Sequence, residues 1–220
     1  VRSNLLSALK HLRSKTRDLW FWIDAVCINQ QDNFEKASQL AQLLSIYSKA
    51  FNVCIWLGPD DGEGLGYRAL HFIANIINLK FLDQTVKVNH LGEVAARSWF
   101  QRRWVLQEVA ASRAASVQCG NHSVNWVDFA DAVQLLMAKI DHIRAAYSSS
   151  TLFKQDPDAL THVESTGANV IVDMTNNVLH KGRGGLILDR LWTIETLVMA
   201  SVAFDVSDPR DTIYALLPLA

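Results

Sequence analysis

Two nearly continuous apolar runs, Leu19 to Ile28 (LWFWIDAVCI) and Phe51 to Leu57 (FNVCIWL), flank a stretch with helical spacing, and this order limits the fold more than anything else in the chain. Runs of aromatic and β-branched residues suit strands covered on both faces, as in a parallel sheet. Between them, Asp32 and Glu35 match a capping box with aspartate in place of serine. Phe34, Ala37, Leu40, Ala41, Leu44 and Tyr47 then recur as an apolar stripe that should pack on the sheet. Strand, helix and strand make a βαβ unit, expected to be right-handed, with its crevice outside the carboxyl ends of the strands. Asn29, Gln30 and the turn Gly58 to Gly64 fall on that rim.

The remaining segments extend this α/β reading: a mainly parallel sheet flanked by helices, with a helical C-terminal part. Leu5, Leu6, Leu9 and Leu12 predict an amphipathic helix over 4–14, capped by Ser3. Further helices are expected over 67–82 and 128–147, with a connection at 83–94. Ala115 to Cys119 and Ser123 to Val124 read as a short β pair around Gly120, Asn121 and His122. From Ser148 to Gly185 the composition turns to Ser, Thr, Asp, Asn and Gly, which suggests an irregular insertion with at most a helical piece near 169–179. Leu186 to Ala203 is apolar enough for a buried helix. Asp208, Pro209, Arg210 and Asp211 then form a strong helix start.

Charge and cysteine usage narrow the class. Lys plus Arg total 21 against 22 for Asp plus Glu, so no basic field exists to hold a phosphate backbone, and nucleic acid is not an expected partner. Half of the 220 residues are hydrophobic, enough for the core of a single domain. The three cysteines, Cys27, Cys54 and Cys119, lack paired metal-knuckle spacing and read as buried thiols in a reducing compartment. No apolar run approaches the roughly 20 residues of a membrane span. A soluble cytoplasmic protein is expected.

Chemistry concentrates in Trp99 to Ser112 (WFQRRWVLQEVAAS), read as one short helix. At 100° per residue, Glu108 lies about 40° from Trp104 and within the arc of Val105 and Val109. Such a carboxylate should be partly buried, its pKa raised by desolvation or held down by an arginine. It is either a functional acid or half of a structural ion pair with Arg102, Arg103 or a distant arginine. Asp24, inside the first apolar run, poses the same alternative, with Arg103 or Arg210 as partners. Cys27 as a nucleophile would need a positioned histidine, and the seven histidines carry no motif. No pair of them has metal-ligand spacing. The turn Gly58 to Gly66 lacks the Lys-Ser/Thr ending of a phosphate loop and carries Asp60, Asp61 and Glu63, which would repel phosphate. Trp20, Trp22, Trp56 and Trp192 sit in apolar runs and are expected in the core.

Four stretches carry a family resemblance: WIDAVCINQQD (Trp22 to Asp32), EKASQLAQLLSIYSKAFNVCIWLG (Glu35 to Gly58), WFQRRWVLQEVA (Trp99 to Ala110) and DPRDTIYALLPLA (Asp208 to Ala220). In this order they closely resemble the fungal heterokaryon incompatibility (HET) domain, spanning nearly the whole chain. The resemblance implies a role in recognising non-self and triggering cell death, through protein partners or self-association. The family pattern opens with a strand similar to Y-x-x-L-S-Y-x-W-G upstream of Ser3, so it also implies a single domain over 1–220 that lacks its first strand. HET domains in turn look like distant relatives of Toll/interleukin-1 receptor (TIR) domains, a flavodoxin-like fold, several of which hydrolyse NAD. Trp104 to Glu108 (WVLQE) is similar to the TIR pattern W-C-L-x-E around a catalytic glutamate. That likeness implies Glu108 as catalytic residue, Trp104 as the aromatic that packs the cofactor, and NAD as candidate substrate; Asp24 and the rim residues Asn29 and Gln30 are expected to contribute to the binding pocket. No metal or resident cofactor is implied. The alternative it leaves open is a non-catalytic assembly module with Glu108 a structural acid.

Overall fold

The computed structural model describes residues 3–60, 64–76, 97–148 and 167–220. Helix α1 (Ser3–Leu12) lies against strand β1 (Val53–Trp56): the Trp56 indole donates to Asn4 Oδ1 at 3.0 Å, and the His11 ring lies tilted against it, 5.1 Å between centroids. β1 pairs in parallel with β2 (Ala115–Cys119), in the register Val53↔Ala115 to Trp56↔Gln118. A tight turn at Gly120 (φ +55°) and Asn121 then returns the chain as β3 (His122–Asn125), antiparallel to β2. Glycine suits this turn because it adopts positive φ without a Cβ penalty. The expected hairpin is present. The sheet around it is mixed, with one parallel and one antiparallel pair among the described residues, rather than mainly parallel.

The first apolar run is not a strand. Residues 19–23 form no ladder, and the chain turns into a single helical turn, α2 (Asp24–Cys27). The cause is local: Asp24 Oδ1 accepts the Ala25 N–H at 2.7 Å, and Cys27 N and Ile28 N donate to the carbonyls of Ile23 and Asp24. A short acid bonded to a neighbouring backbone N–H competes with extended structure. Only Ile28 of this run is buried; Trp20 is 98% exposed, Trp22 36%, and Cys27 lies open to solvent. Trp20 is therefore not core and Cys27 is not a buried thiol, while Cys54 is half-buried and Cys119 buried. Trp56 and Trp192 are half-buried.

Helix α3 (Asn33–Lys49) starts as the sequence predicts, with Asp32 Oδ1 accepting from Phe34 N and Glu35 N. Its inward face is shifted from the expected stripe. Phe34 is 90% exposed, Leu43 is the buried residue, and Leu40, Leu44 and Tyr47 are half-buried. The helix packs on the helix over Val105–Ala111 rather than standing alone on a sheet. Beyond β1, helix α4 (Leu65–Ile76) follows the turn; its predicted end and the connection 83–94 lie outside the described residues.

Trp99 to Ser112 is not one helix. It is a 3₁₀ turn (Ser98–Gln101), a break, and helix α5 (Val105–Ala111). A tertiary pairing makes the break: Arg102 is extended and bridges Asp205, whose N–H donates to Gln101 O at 2.6 Å and whose carbonyl accepts from Arg103 N at 3.3 Å. α5 buries six residues and is packed between α3 and the helix over Gly167–Asn177.

The expected helix over 128–147 is two, α6 (Trp126–Ala138) and α7 (Ile140–Ser148), separated at Lys139. Trp99, Phe100, Trp126 and Phe129 form one aromatic cluster, with ring centroids 5.0 to 6.3 Å apart. Helix α8 (Gly167–Asn177) is the helical piece expected near 169–179. It buries Ala168, Ile171, Val172, Met174 and Thr175 against α5 and α6, and a Cβ at Gly167 would run into the Phe100 carbonyl. Residues 149–166 of that stretch lie outside the described residues. Nor is 186–203 one buried helix. Strand β4 (Leu179–Lys181) pairs with antiparallel β5 (Ile187–Arg190), and α9 (Ile194–Ala200) begins where Thr193 Oγ1 accepts from Thr196 N. The chain closes with α10 (Asp211–Tyr214) and a 3₁₀ turn (Leu217–Leu219). No helix among the described residues is long and apolar enough to cross a membrane.

Candidate functional site

Four segments from three separate parts of the sequence enclose a cleft of about 560 Å³. The turn around α2 contributes Asp24 and Gln30, and one face of α3 contributes Lys36, Leu40 and Tyr47. The start of α5 adds Arg102, Trp104 and Glu108. The C-terminal segment adds Asp208, Arg210, Asp211 and Tyr214.

What assembles these walls is a set of hydrogen bonds from the α5 region to the segment 201–215, most of them to backbone carbonyls. Arg103, 4% exposed, donates to the carbonyls of Ser201 at 2.7 Å and of Phe204 and Thr212 at 3.4 Å. Gln107 Nε2 donates to Ala215 O at 2.9 Å, and the Trp104 indole donates to Asp211 Oδ2 at 3.0 Å. Arg103 is thus the structural arginine, spent on main-chain acceptors, and it pairs with neither Asp24 nor Glu108.

Glu108 is half-buried and opens into the cleft. It accepts the Trp99 indole N–H at 3.2 Å, and no arginine among the described residues lies within ion-pair distance of it. Burial pushes its carboxyl above the usual range; Arg102 and the Trp99 bond partly offset this, and Asp24 adds to it. Tyr47 sits in the same field, its phenol pushed well above its ordinary value by burial and by the charges of Glu108 and Asp24. Asp208 is the opposite case: three contacts of 2.6 to 3.1 Å from the Arg210 guanidinium, with the Arg210 N–H, hold it down to about 2. Asp208 and Arg210 therefore neutralise each other.

Of the residues singled out in the sequence, Glu108, Trp104, Asp24 and Gln30 meet in this cleft. The i, i+4 spacing of Trp104 and Glu108 survives because Trp104 is the N-cap of α5. Asn29 does not join them. Its N–H donates to Glu35 Oε1 at 3.0 Å and its Oδ1 accepts from Gln31 N, so it shapes the turn instead. Asp24 is exposed at the rim and makes no arginine pair. Sequence reasoning missed Lys36 and Tyr47, although positions 36, 40, 43 and 47 share one helical face and could have been read together. Among the described residues no cluster of three or more His, Cys, Asp or Glu side chains is placed to hold a metal.

Comparison with known proteins gives this cleft a context. Residues 1–108 match the family model described as Heterokaryon incompatibility protein (HET). The chain is also 26% identical, over 266 aligned positions, to Heterokaryon incompatibility protein 6, OR allele, of Neurospora crassa. Both matches support the heterokaryon incompatibility family for this chain. The alignment takes in 100% of this HET chain and 38% of the Neurospora protein, so the chain spans well under half the length of that curated relative. No solved structure matches it. The HET match ends on Glu108, while the wall of the cleft formed by Asp208 to Tyr214 lies beyond it.

Proposed function

We propose that this HET chain acts in fungal non-self recognition leading to cell death, and that its cleft hydrolyses NAD with Glu108 as the catalytic carboxylate. The observation that carries the reading is the state of Glu108: a desolvated carboxylate facing a cleft, held by an indole N–H and not neutralised by an arginine. In the reaction the bond between nicotinamide N1 and ribose C1′ breaks, its electron pair passing to the pyridinium ring, which leaves as neutral nicotinamide. The ribose becomes oxocarbenium-like, and the Glu108 carboxylate stabilises that charge. Water adds at C1′ and loses a proton, giving ADP-ribose. Trp104 and Tyr47 offer aromatic surface for a planar ring, and Asp24 and Gln30 offer polar contacts at the rim.

The same reading takes the 220 residues as one cytoplasmic domain and the fold as distantly TIR-like, supported by the parallel β1–β2 pair and the Trp104–Glu108 spacing. The test is NAD consumption by the complete protein, with nicotinamide and ADP-ribose measured as products. Glu108→Gln should abolish turnover while leaving the fold intact, and full turnover by that variant would sink the idea. Because the carboxylate form is required, activity should rise with pH through the raised Glu108 pKa.

A second reading has its own observation. Trp20, Phe34 and Phe51 are 98%, 90% and 96% exposed, which suits a module that works by binding copies of itself or a protein partner. On that reading killing survives Glu108→Gln and is lost with Trp20→Ala.

A further inference from the structure

The cleft's charges are unevenly committed. Of its acids, Asp208 is paired with Arg210, Asp211 accepts the Trp104 indole, Glu108 accepts the Trp99 indole, and Asp24 accepts the Ala25 N–H. Of its three cations, Arg210 is held by Asp208 through contacts of 2.6 to 3.1 Å. Arg102 and Lys36 remain. Both line the cleft, from the start of α5 and from α3, and among the described residues neither side chain makes a hydrogen bond or an ion pair. The Arg102 main chain is fixed by its bridge to Asp205, so its side chain projects from an anchored base.

We propose that Arg102 and Lys36 bind the diphosphate of the ligand that occupies this cleft. This rests on the dinucleotide reading above and names the part of the ligand each cation holds. Two cations lining one cleft, with donors not yet used, match adjacent phosphates, and a guanidinium can engage phosphate oxygens in bidentate fashion. Their positions order the ligand. The Arg102 charge acts on Glu108, and the Lys36 charge acts on Asp208 at the C-terminal wall. A diphosphate spanning them leaves one end of the ligand beside Glu108, where a glycosidic bond would be cleaved. The other end lies toward Asp208. Convex surface cations would show neither the shared concavity nor this order.

Titration calorimetry of the complete protein with ADP and with adenosine tests the assignment. ADP should bind at least ten-fold more tightly than adenosine. Arg102→Gln and Lys36→Gln should each weaken ADP binding by about ten-fold, the loss expected for a charged hydrogen bond. Adenosine binding should not move. Both side chains are exposed and unbonded, so thermal melts should match the parent, and Arg102→Lys should retain part of the affinity. ADP binding that ignores both substitutions, or no preference for ADP over adenosine, overturns the proposal. Its failure is separable from that of the hydrolase reading. ADP binding that depends on Arg102 and Lys36 in a protein that never consumes NAD leaves this site standing and removes the hydrolase. NAD turnover with a KM untouched by either substitution does the reverse.

Discussion

Trp126 and Phe129 are 7% and 0% exposed, whereas Trp20 and Phe34, equally apolar, are 98% and 90% exposed. The first pair belongs to a body in which β2, α5, α6 and α8 cover one another, and the second to the segment between α1 and β1. The difference lies in what each residue meets rather than in what it is. Phe129 stacks on Phe100 at 5.4 Å and on Trp126 at 5.4 Å, while no strand pairs with the run at 19–28 among the described residues. Apolar surface stabilises only when another element removes it from water.

The largest effect should come from Phe129→Ala, which opens a cavity in the aromatic cluster and should cost about 3–5 kcal/mol in denaturant unfolding. Phe34→Ala should stay within about 0.5 kcal/mol. Equal costs would abolish the distinction between the two regions.

Adjacent arginines give the next contrast. Arg103→Ala strands three carbonyls and loosens the C-terminal wall, so a loss of about 2–3 kcal/mol is expected. Arg102→Ala should cost less than about 0.5 kcal/mol. A stable Arg103→Ala protein would mean that the C-terminal segment is held by something else.

The thiols offer a finer comparison that needs no substitution. Cys27 is exposed, Cys54 is half-buried with its thiol pKa raised by burial, and Cys119 is buried at the end of β2. Alkylation followed by mass spectrometry should modify Cys27 first and Cys119 last, with Cys119 at least about ten-fold slower because it waits on opening. Fast labelling of Cys119 would show that the body is looser than its packing.

The features legible in the sequence are those set by neighbours along the chain. The Asp32 cap of α3, the turn at Gly120 and the angle between Trp104 and Glu108 each depend on a few consecutive residues. The others depend on partners far away. Nothing near Arg102 announces that Asp205 will break the helix there, and nothing in Leu186 to Ala203 shows that β4 will draw part of it into a hairpin. The cleft itself was half legible: its acid and one tryptophan could be named, but Asp211 and Tyr47, about 100 and 60 positions away, enter only through packing.

The smallest effect, and the most diagnostic, concerns Glu108 itself, which belongs to the packed body by position and to the open cleft by exposure. Its folded pKa is raised by burial, so the folded state holds the proton more tightly than the unfolded chain does. Its contribution to stability is therefore fully present below the unfolded value of about 4.3 and is lost as pH rises through the folded pKa. Glu108→Gln removes that loss. At neutral pH the variant should be as stable as the parent or slightly more so, within about 1 kcal/mol. Its stability should also fall less than the parent's as pH climbs above about 4.3. A variant clearly less stable at neutral pH would show that the carboxylate helps to hold the fold. One that gains stability while losing function would identify an acid kept in place at the expense of the fold, as expected of a functional group.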